Sequence, residues 1–395
     1  MSRLKLALTL VIVAGVGVAA FAGWNAWELR RPAGTAAPDR SRYSRTGPDR
    51  EVMLPLTIEA ADVRRLALLE FAPDSDPTYL GLEPQFIDRG HEQGYRIIAY
   101  RHDGWVDFYD DLALAPNPDE QSKVTGKGLL HYRHRDLGGP ILERDDEGRA
   151  TIEFAFTDVE GRAIRGHIRE HSTKRSVPLN LLAPVGMSAV EPDSFPLIML
   201  YDFDFLRLGD SDLEVSIDGR AVQLADFPVP LPVQGQRRSF AKYSVDTDIL
   251  AVFPTSHDLV QRLRTTGDVH RDGEVSYLFA GDALERILVR DTEIVFAPAL
   301  DVRTAGSGRF TITTYPEHGV VAGPYAVSAD GAVSRLELSI DEVEVPRQRG
   351  LLYRFIVNES STFGTWPKAY RYHATIDQAT GAIDAQWTNT RPGGK

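Results

Sequence analysis

From Glu51 onward, Asp-Gly, Glu-Gly and Thr-Gly pairs recur between short apolar runs. This punctuation limits the fold more than any other feature, because such pairs supply the positive φ that tight hairpins need, and runs of about four to eight residues suit strands. The chain reads as mainly β, built from antiparallel sheets. Only two stretches, around residues 61–69 and 257–264, read as short helices.

Register follows from asking which loop length puts apolar side chains on one face, since a slip of one residue moves every side chain to the other. In TIEFAFTDVEGRAIRGHIRE a two-residue loop would mix Phe154 and Phe156 with Arg165 and His167. A three-residue loop, Val159 to Gly161 with Gly161 left-handed, pairs Phe156 with Ile164, Phe154 with Gly166 and Ile152 with Ile168, and leaves Glu153 opposite His167. In LEVSIDGRAVQL a two-residue Asp218-Gly219 turn pairs Val215 with Val222 and Leu213 with Leu224. Near the C-terminus, Tyr372 faces Trp387, Ala374 faces Ala385 and Ile376 faces Ile383. The inward set Leu336, Leu338, Ile340 changes parity at Val343, which predicts a bulge at Asp341-Glu342.

Ahead of the β body, residues 6–27 form a run with no charge and no proline, flanked by Arg3 and Lys5 before and by Glu28, Arg30 and Arg31 after. As a helix it would cover about 33 Å, the thickness of a bilayer core. Two readings compete. A signal peptide would be cleaved near Ala22, after Ala20-Phe21-Ala22, and release a secreted protein. An anchor would keep Trp24 and Trp27 as an interfacial belt, with the membrane as partner. The anchor is preferred because the apolar run continues past the cleavage point. The expected location is therefore single-pass in the cell membrane, with the C-terminal body outside the cytoplasm.

The expected organisation is a membrane segment over residues 1–30, a disordered Arg/Pro-rich tether over 31–50, a first β domain over 51–225, a Pro-rich linker over 226–236 and a second β domain over 237–395. Pro228, Pro230 and Pro232 mark the linker, since proline cannot donate to a sheet ladder. One-sided strands of this kind belong to β-barrels or β-sandwiches, of which tandem lipocalin-like halves would be one arrangement, a fold-level analogy only.

Charge narrows the partners. The first fifty residues carry eight Lys/Arg against three Asp/Glu, so the net charge of −12 leaves −17 on the remainder. A body that acidic suits no nucleic acid, whose binding rests on phosphate neutralisation. The chain has no cysteine, which excludes disulfides, thiolate metal sites and cysteine nucleophiles. Gly-x-Ser-x-Gly, Walker, Gly-x-Gly-x-x-Gly and His-Glu-x-x-His motifs are missing too, which argues against α/β hydrolases, nucleotide enzymes and zincins. Asn358-Glu359-Ser360 fits a glycosylation sequon, a short and common pattern.

Chemistry has three candidate places. The hairpin GYRIIAYRHDGWVDFYDD, with a two-residue turn at Asp103-Gly104, would gather Tyr100, His102, Trp105, Asp107 and Tyr109 on one face as a ligand site, Asp107 orienting His102 as a general base. The bland reading of that hairpin is a solvated surface stiffened by aromatic pairs. In LYDFDF, Asp202 and Asp204 would lie about 7 Å apart on one strand face, a spacing suited to paired carboxylates in glycoside hydrolysis, or would simply point to solvent. His131 with His134, and His167 with His171, are better read as a polar outer face than as a metal site, because two ligands do not specify a metal. No metal and no cofactor is indicated.

Two functions follow. The first is a membrane-tethered β protein that binds an apolar or aromatic ligand or a cell-envelope partner. The second is an extracytoplasmic enzyme, a glycan or lipid hydrolase or hydratase working through His, Asp and Tyr side chains. Clustered carboxylates beside a histidine would favour the second.

Overall fold

A computed structural model describes residues 43–116, 129–174, 179–183, 192–227, 235–260, 262–314, 319–344 and 365–391. The locally encoded hairpins form in the expected registers. Gly161 takes φ +85°, Phe156 pairs with Ile164, Phe154 with Gly166 and Ile152 with Ile168, with Glu153 opposite His167. Gly166 is needed for a close approach: a Cβ there would lie 2.4 Å from the Phe154 ring, which crosses the strand at that point. Asp218 and Gly219 both have positive φ, Ile217 pairs with Arg220, and the Val222 N–H donates to the Val215 carbonyl at 2.8 Å, but the expected Leu213–Leu224 pair is not made, because Leu224 bridges to Phe71 instead. Tyr372, Ala374 and Ile376 face Trp387, Ala385 and Ile383. Along Gly319–Asp330 the register slips by one residue between the partners Leu338 and Val343, which places the bulge where the parity change predicts it.

These hairpins join into large sheets. A five-stranded antiparallel sheet runs Arg220–Ala221, Ser211–Ile217, Ala163–Glu170, Ala150–Thr157, Ile141–Arg144. Its apolar face, with Ile152, Phe154, Phe156, Ile164, Ile168, Val215 and Ile217, packs on Ala67, Leu69, Ile97, Ala99 and Tyr109 of a ten-stranded sheet and makes a sandwich. An eleven-stranded sheet curls around a second core, into which Phe195, Leu197, Met199, Leu250 and Val252 project from the ten-stranded sheet. Aromatic rings dominate there. Phe195 stacks on Trp366 at 5.3 Å, and Trp387 donates its indole N–H to the Phe253 carbonyl at 2.7 Å.

One strand serves both cores. Phe195–Arg207 pairs through its first half with Asp246–Val252 and, past a kink where Asp202 has φ +50°, with Arg238–Ser244. Phe195–Arg207, before residues 226–236, and Arg238–Ser244, after them, thus share one sheet, although Arg220–Ala221 lies in the five-stranded one. The ladder between Asp49–Met53 and Arg262–Thr266 ties the start of the described chain to its C-terminal half.

Several expectations are corrected. Val63–Glu70, Ser256–Val260 and Arg262–Thr266 are strands, so neither short helix forms. In Val63–Glu70 a register shift at Arg64 spaces Val63, Leu66, Ala67 and Leu69 unevenly, which mimics a helical period, while ladder partners on both sides fix an extended chain. The architecture of two separate barrels or sandwiches behind a membrane helix does not stand: the ten-stranded sheet contributes side chains to both cores, and the eleven-stranded sheet is open among the described residues. No helix of the described residues is long and apolar enough to cross a membrane. The tethered reading, with its membrane partner and single-pass location, has no element among the described residues to carry it and is set aside. The run 6–27, the tether residues 31–42, residues 228–234 of the linker and the sequon lie outside the described residues.

Candidate active site

The hairpin Gln93–Arg101 with Val106–Asp110 departs from its expected register. The Gly104 N–H donates to the Arg101 carbonyl and the Arg101 N–H to the Trp105 carbonyl, so the loop holds three residues, His102 to Gly104, with Gly104 at φ +88°. Ala99 then pairs with Asp107 and Ile97 with Tyr109, while Ile98 and Tyr100 pair with Phe108 and Val106. The physical reason is sorting: this register collects Ile98, Val106 and Phe108 into one buried apolar group, which the two-residue turn would have broken up. Tyr100 and His102 thereby leave the side of the sheet that carries Asp107.

A different histidine meets Asp107. Leu129–His134 runs parallel to Val106–Asp110, and a one-residue slip in that ladder sets His131 opposite Asp107. Asp107 is 0% exposed and accepts from His131 Nδ1 at 2.9 Å, Arg101 Nη1 at 3.2 Å and the Tyr79 hydroxyl at 3.1 Å. An acceptor at Nδ1 assigns the imidazole proton there, which leaves Nε2 as the basic nitrogen. The His131 side chain is 37% exposed, so that nitrogen is reachable from solvent while its carboxylate partner is not.

Behind the carboxylate the polar chain continues inward. The Val159 N–H donates to the Tyr109 hydroxyl at 3.2 Å, and the Tyr109 and Tyr79 hydroxyls are 3.1 Å apart. Burial pushes the Tyr109 phenol up to about 12 and the Tyr79 phenol further, with the mutual proximity of the two rings adding to the shift of Tyr79. Both therefore remain protonated donors at ordinary pH. Arg162 lies over the Tyr79 ring at 5.0 Å and bonds Asp158 at 2.8 Å and Asp76 at 3.1 Å, closing this end of the sandwich with the loop of the Phe154–Ile164 hairpin. A chain of this kind fixes the carboxylate in one orientation, and with it the imidazole.

The remaining sequence candidates are scattered. His102 is exposed and uses Nε2 on the Asp76 carbonyl at 2.9 Å. Trp105 is 46% exposed, and strand alternation puts it on the face of Asp107. Tyr100 donates to Glu83 at 2.7 Å on the opposite face. Asp202 is exposed and held by Arg144 at 3.3 Å, whereas Asp204 is buried and accepts from the Phe205 N–H at 2.8 Å, so the two do not form a facing pair. His134 bonds the Leu114 carbonyl, His167 sits near Glu153 and His171 near Asp212, the last two on the surface. No group of three or more His, Asp or Glu side chains among the described residues is arranged to hold a metal ion.

Tyr79, Arg101 and Glu83 had no sequence signal as site residues, and His131 had one only as half of a histidine pair. Glu83 is buried, bonded by Tyr100 and by Gln85 Nε2 at 2.7 Å, and burial raises its carboxyl above the ordinary range. Fold and site together define a class: an all-β protein with a buried carboxylate and a half-open histidine at the end of a sandwich. No family model, no curated protein and no solved structure matches the chain.

Proposed function

We propose that this chain is an acid–base enzyme that adds or removes the elements of water, a hydrolase or hydratase acting on a glycan or a lipid. The observation that carries the reading is the bond from His131 Nδ1 to the fully buried Asp107, with Nε2 left open. In that arrangement neutral His131 takes a proton from water at Nε2 and returns it to a leaving or adding group, while Asp107 steadies the imidazolium. His131 is the catalytic residue of the proposal. Asp107 acts through it and is a positioning residue, as are Tyr79 and Tyr109. Arg101, bonded to Asp107 and partly open to solvent, stands beside the imidazole where negative charge would develop on substrate oxygen. Exposed Trp105 offers a flat apolar surface for a sugar ring or an acyl chain.

Screening the protein against chromogenic glycosides and esters tests the reading. His131→Ala should lower turnover about 10²–10⁴-fold, the usual contribution of a general acid–base group. Asp107→Asn should lower kcat and change the pH profile, whereas Tyr100→Phe should leave turnover unchanged. Full activity in His131→Ala, or no turnover of either substrate class, would sink the proposal.

A further inference from the structure

A groove of about 320 Å³ lies between the segment 43–47 and the strands Arg262–Thr266 and Val269–Asp272, lined by Arg45, Arg264, Arg271, His270 and Thr265 among others. Its floor is firmly built. Gly267 has φ +72°, and a Cβ there would come within 2.6 Å of the Ser44 carbonyl oxygen, so the segment lies directly on the turn. The Asp268 N–H donates to that same oxygen at 2.7 Å, Thr266 Oγ1 donates to Asp49 at 2.6 Å, and the Tyr43 hydroxyl donates to Glu285 at 3.2 Å. Arg45 is thereby held at the groove rather than on a free arm.

The neighbouring carboxylates are committed elsewhere. Asp268 takes Arg50 at 3.2 Å, Glu51 takes Arg262 at 3.3 Å, Asp49 takes Thr266 and Glu285 takes Tyr43. Asp272 alternates to the other side of its strand from Arg271. Among the described residues, Arg45, Arg264 and Arg271 consequently have no carboxylate within ion-pair distance. Three guanidinium groups around one concavity, on a chain with a net charge of −12, repel one another unless an anion sits between them.

We infer that this groove binds a small multivalent phosphate anion, of the diphosphate or phosphate-monoester class. The volume accommodates a ligand of that size, and the forked donors of arginine match phosphate oxygens in pairs. A single carboxylate would answer only one of the three cations. This inference is independent of the chemistry proposed at His131.

Calorimetric titration of the full chain with inorganic pyrophosphate at about 0.15 M salt, near the ionic strength at which exposed charges are well screened, tests it. Saturable one-to-one binding is expected, tighter than binding of acetate under the same conditions. Arg264→Gln and Arg271→Gln, both exposed positions that should fold normally by circular dichroism, should each weaken it about tenfold or more. Arg220→Gln, an exposed arginine on the five-stranded sheet, should leave it unchanged. Absence of saturable binding, equal affinity for acetate, or equal weakening by Arg220→Gln would overturn the proposal.

Discussion

The sandwich and the curled eleven-stranded sheet bury comparable arrays of aromatic and branched side chains, but they treat charge in opposite ways. Between the sheets of the sandwich and on the back of the ten-stranded sheet, Asp76, Glu83, Arg96, Asp107, Asp110, Asp158, Glu170, Asp204, Arg207 and Arg238 are all buried. In the eleven-stranded sheet, Glu293 is the one buried charged side chain among the described residues, and the ten-stranded sheet adds one more against it, Asp248, bonded by Arg290. A buried charge costs free energy unless it is paired and bonded, and even a well-bonded pair rarely outperforms an apolar replacement. The second core, with Phe195, Phe253, Trp366, Tyr370, Tyr372 and Trp387 in ring contact, is what stability alone would select. The chemistry proposed at His131 lies in the first region, not the second.

Removing a large ring from the dry core should have the largest effect. Trp387→Ala should lose about 3–5 kcal/mol in urea unfolding, since it empties a buried volume and strips the Phe253 carbonyl of its donor. The charged core should respond differently to single and double changes. Arg96 and Asp110 form a fully buried pair with contacts of 2.6 and 3.0 Å. Arg96→Met alone should cost about 3 kcal/mol by stranding Asp110, and adding Asp110→Leu should bring stability back to within about 1 kcal/mol of the parent. A double variant no better than the single one would mean that this pair contributes more than its mutual neutralisation.

A pH series sharpens the comparison further. Because burial raises the Glu83 carboxyl, the folded state holds this proton to higher pH than the unfolded chain does. The stability linked to it is fully present below the unfolded value and is lost as pH rises through the folded value. Glu83→Gln should therefore gain stability over the parent progressively on going from acid to neutral pH, as unfolding curves across that range would show. A gap that closes with rising pH would contradict the assignment. At the small end, His373→Ala, on the exposed face of the eleven-stranded sheet, should stay within about 0.5 kcal/mol.

What the sequence made legible was local. The loops at Val159 to Gly161 and at Asp218-Gly219 could be read because turn residues and alternation over about a dozen positions agree on one register. Applied to residues 95–110, the same sorting rule selects the three-residue loop that the structure has; the Asp103-Gly104 pair pointed to the shorter turn. The dyad itself was hidden for another reason. His131 reaches Asp107 through a parallel ladder across a separation of 24 residues, and no local pattern encodes which distant strands pair. The polar chain through Tyr79 and Tyr109 is equally non-local, joining the strands Tyr79–Asp88 and Val106–Asp110 to a loop of the facing sheet.

The ladder between Asp49–Met53 and Arg262–Thr266 bears on how such a chain is made. Thr266 bonds Asp49 across a separation of 217 residues, and the strand Phe195–Arg207, which pairs upstream with Leu179–Ala183, gains its other partners only when Arg238–Ser244 and Asp246–Val252 have followed. During synthesis Asp49–Met53, the earliest strand among the described residues, must wait for more than half of the polypeptide to leave the ribosome before its partner exists. Pairings this distant close slowly, and exposed edges invite association with other chains in the interval. Production of this protein is expected to depend on protection of that edge, so slower translation or added chaperone should raise the soluble yield.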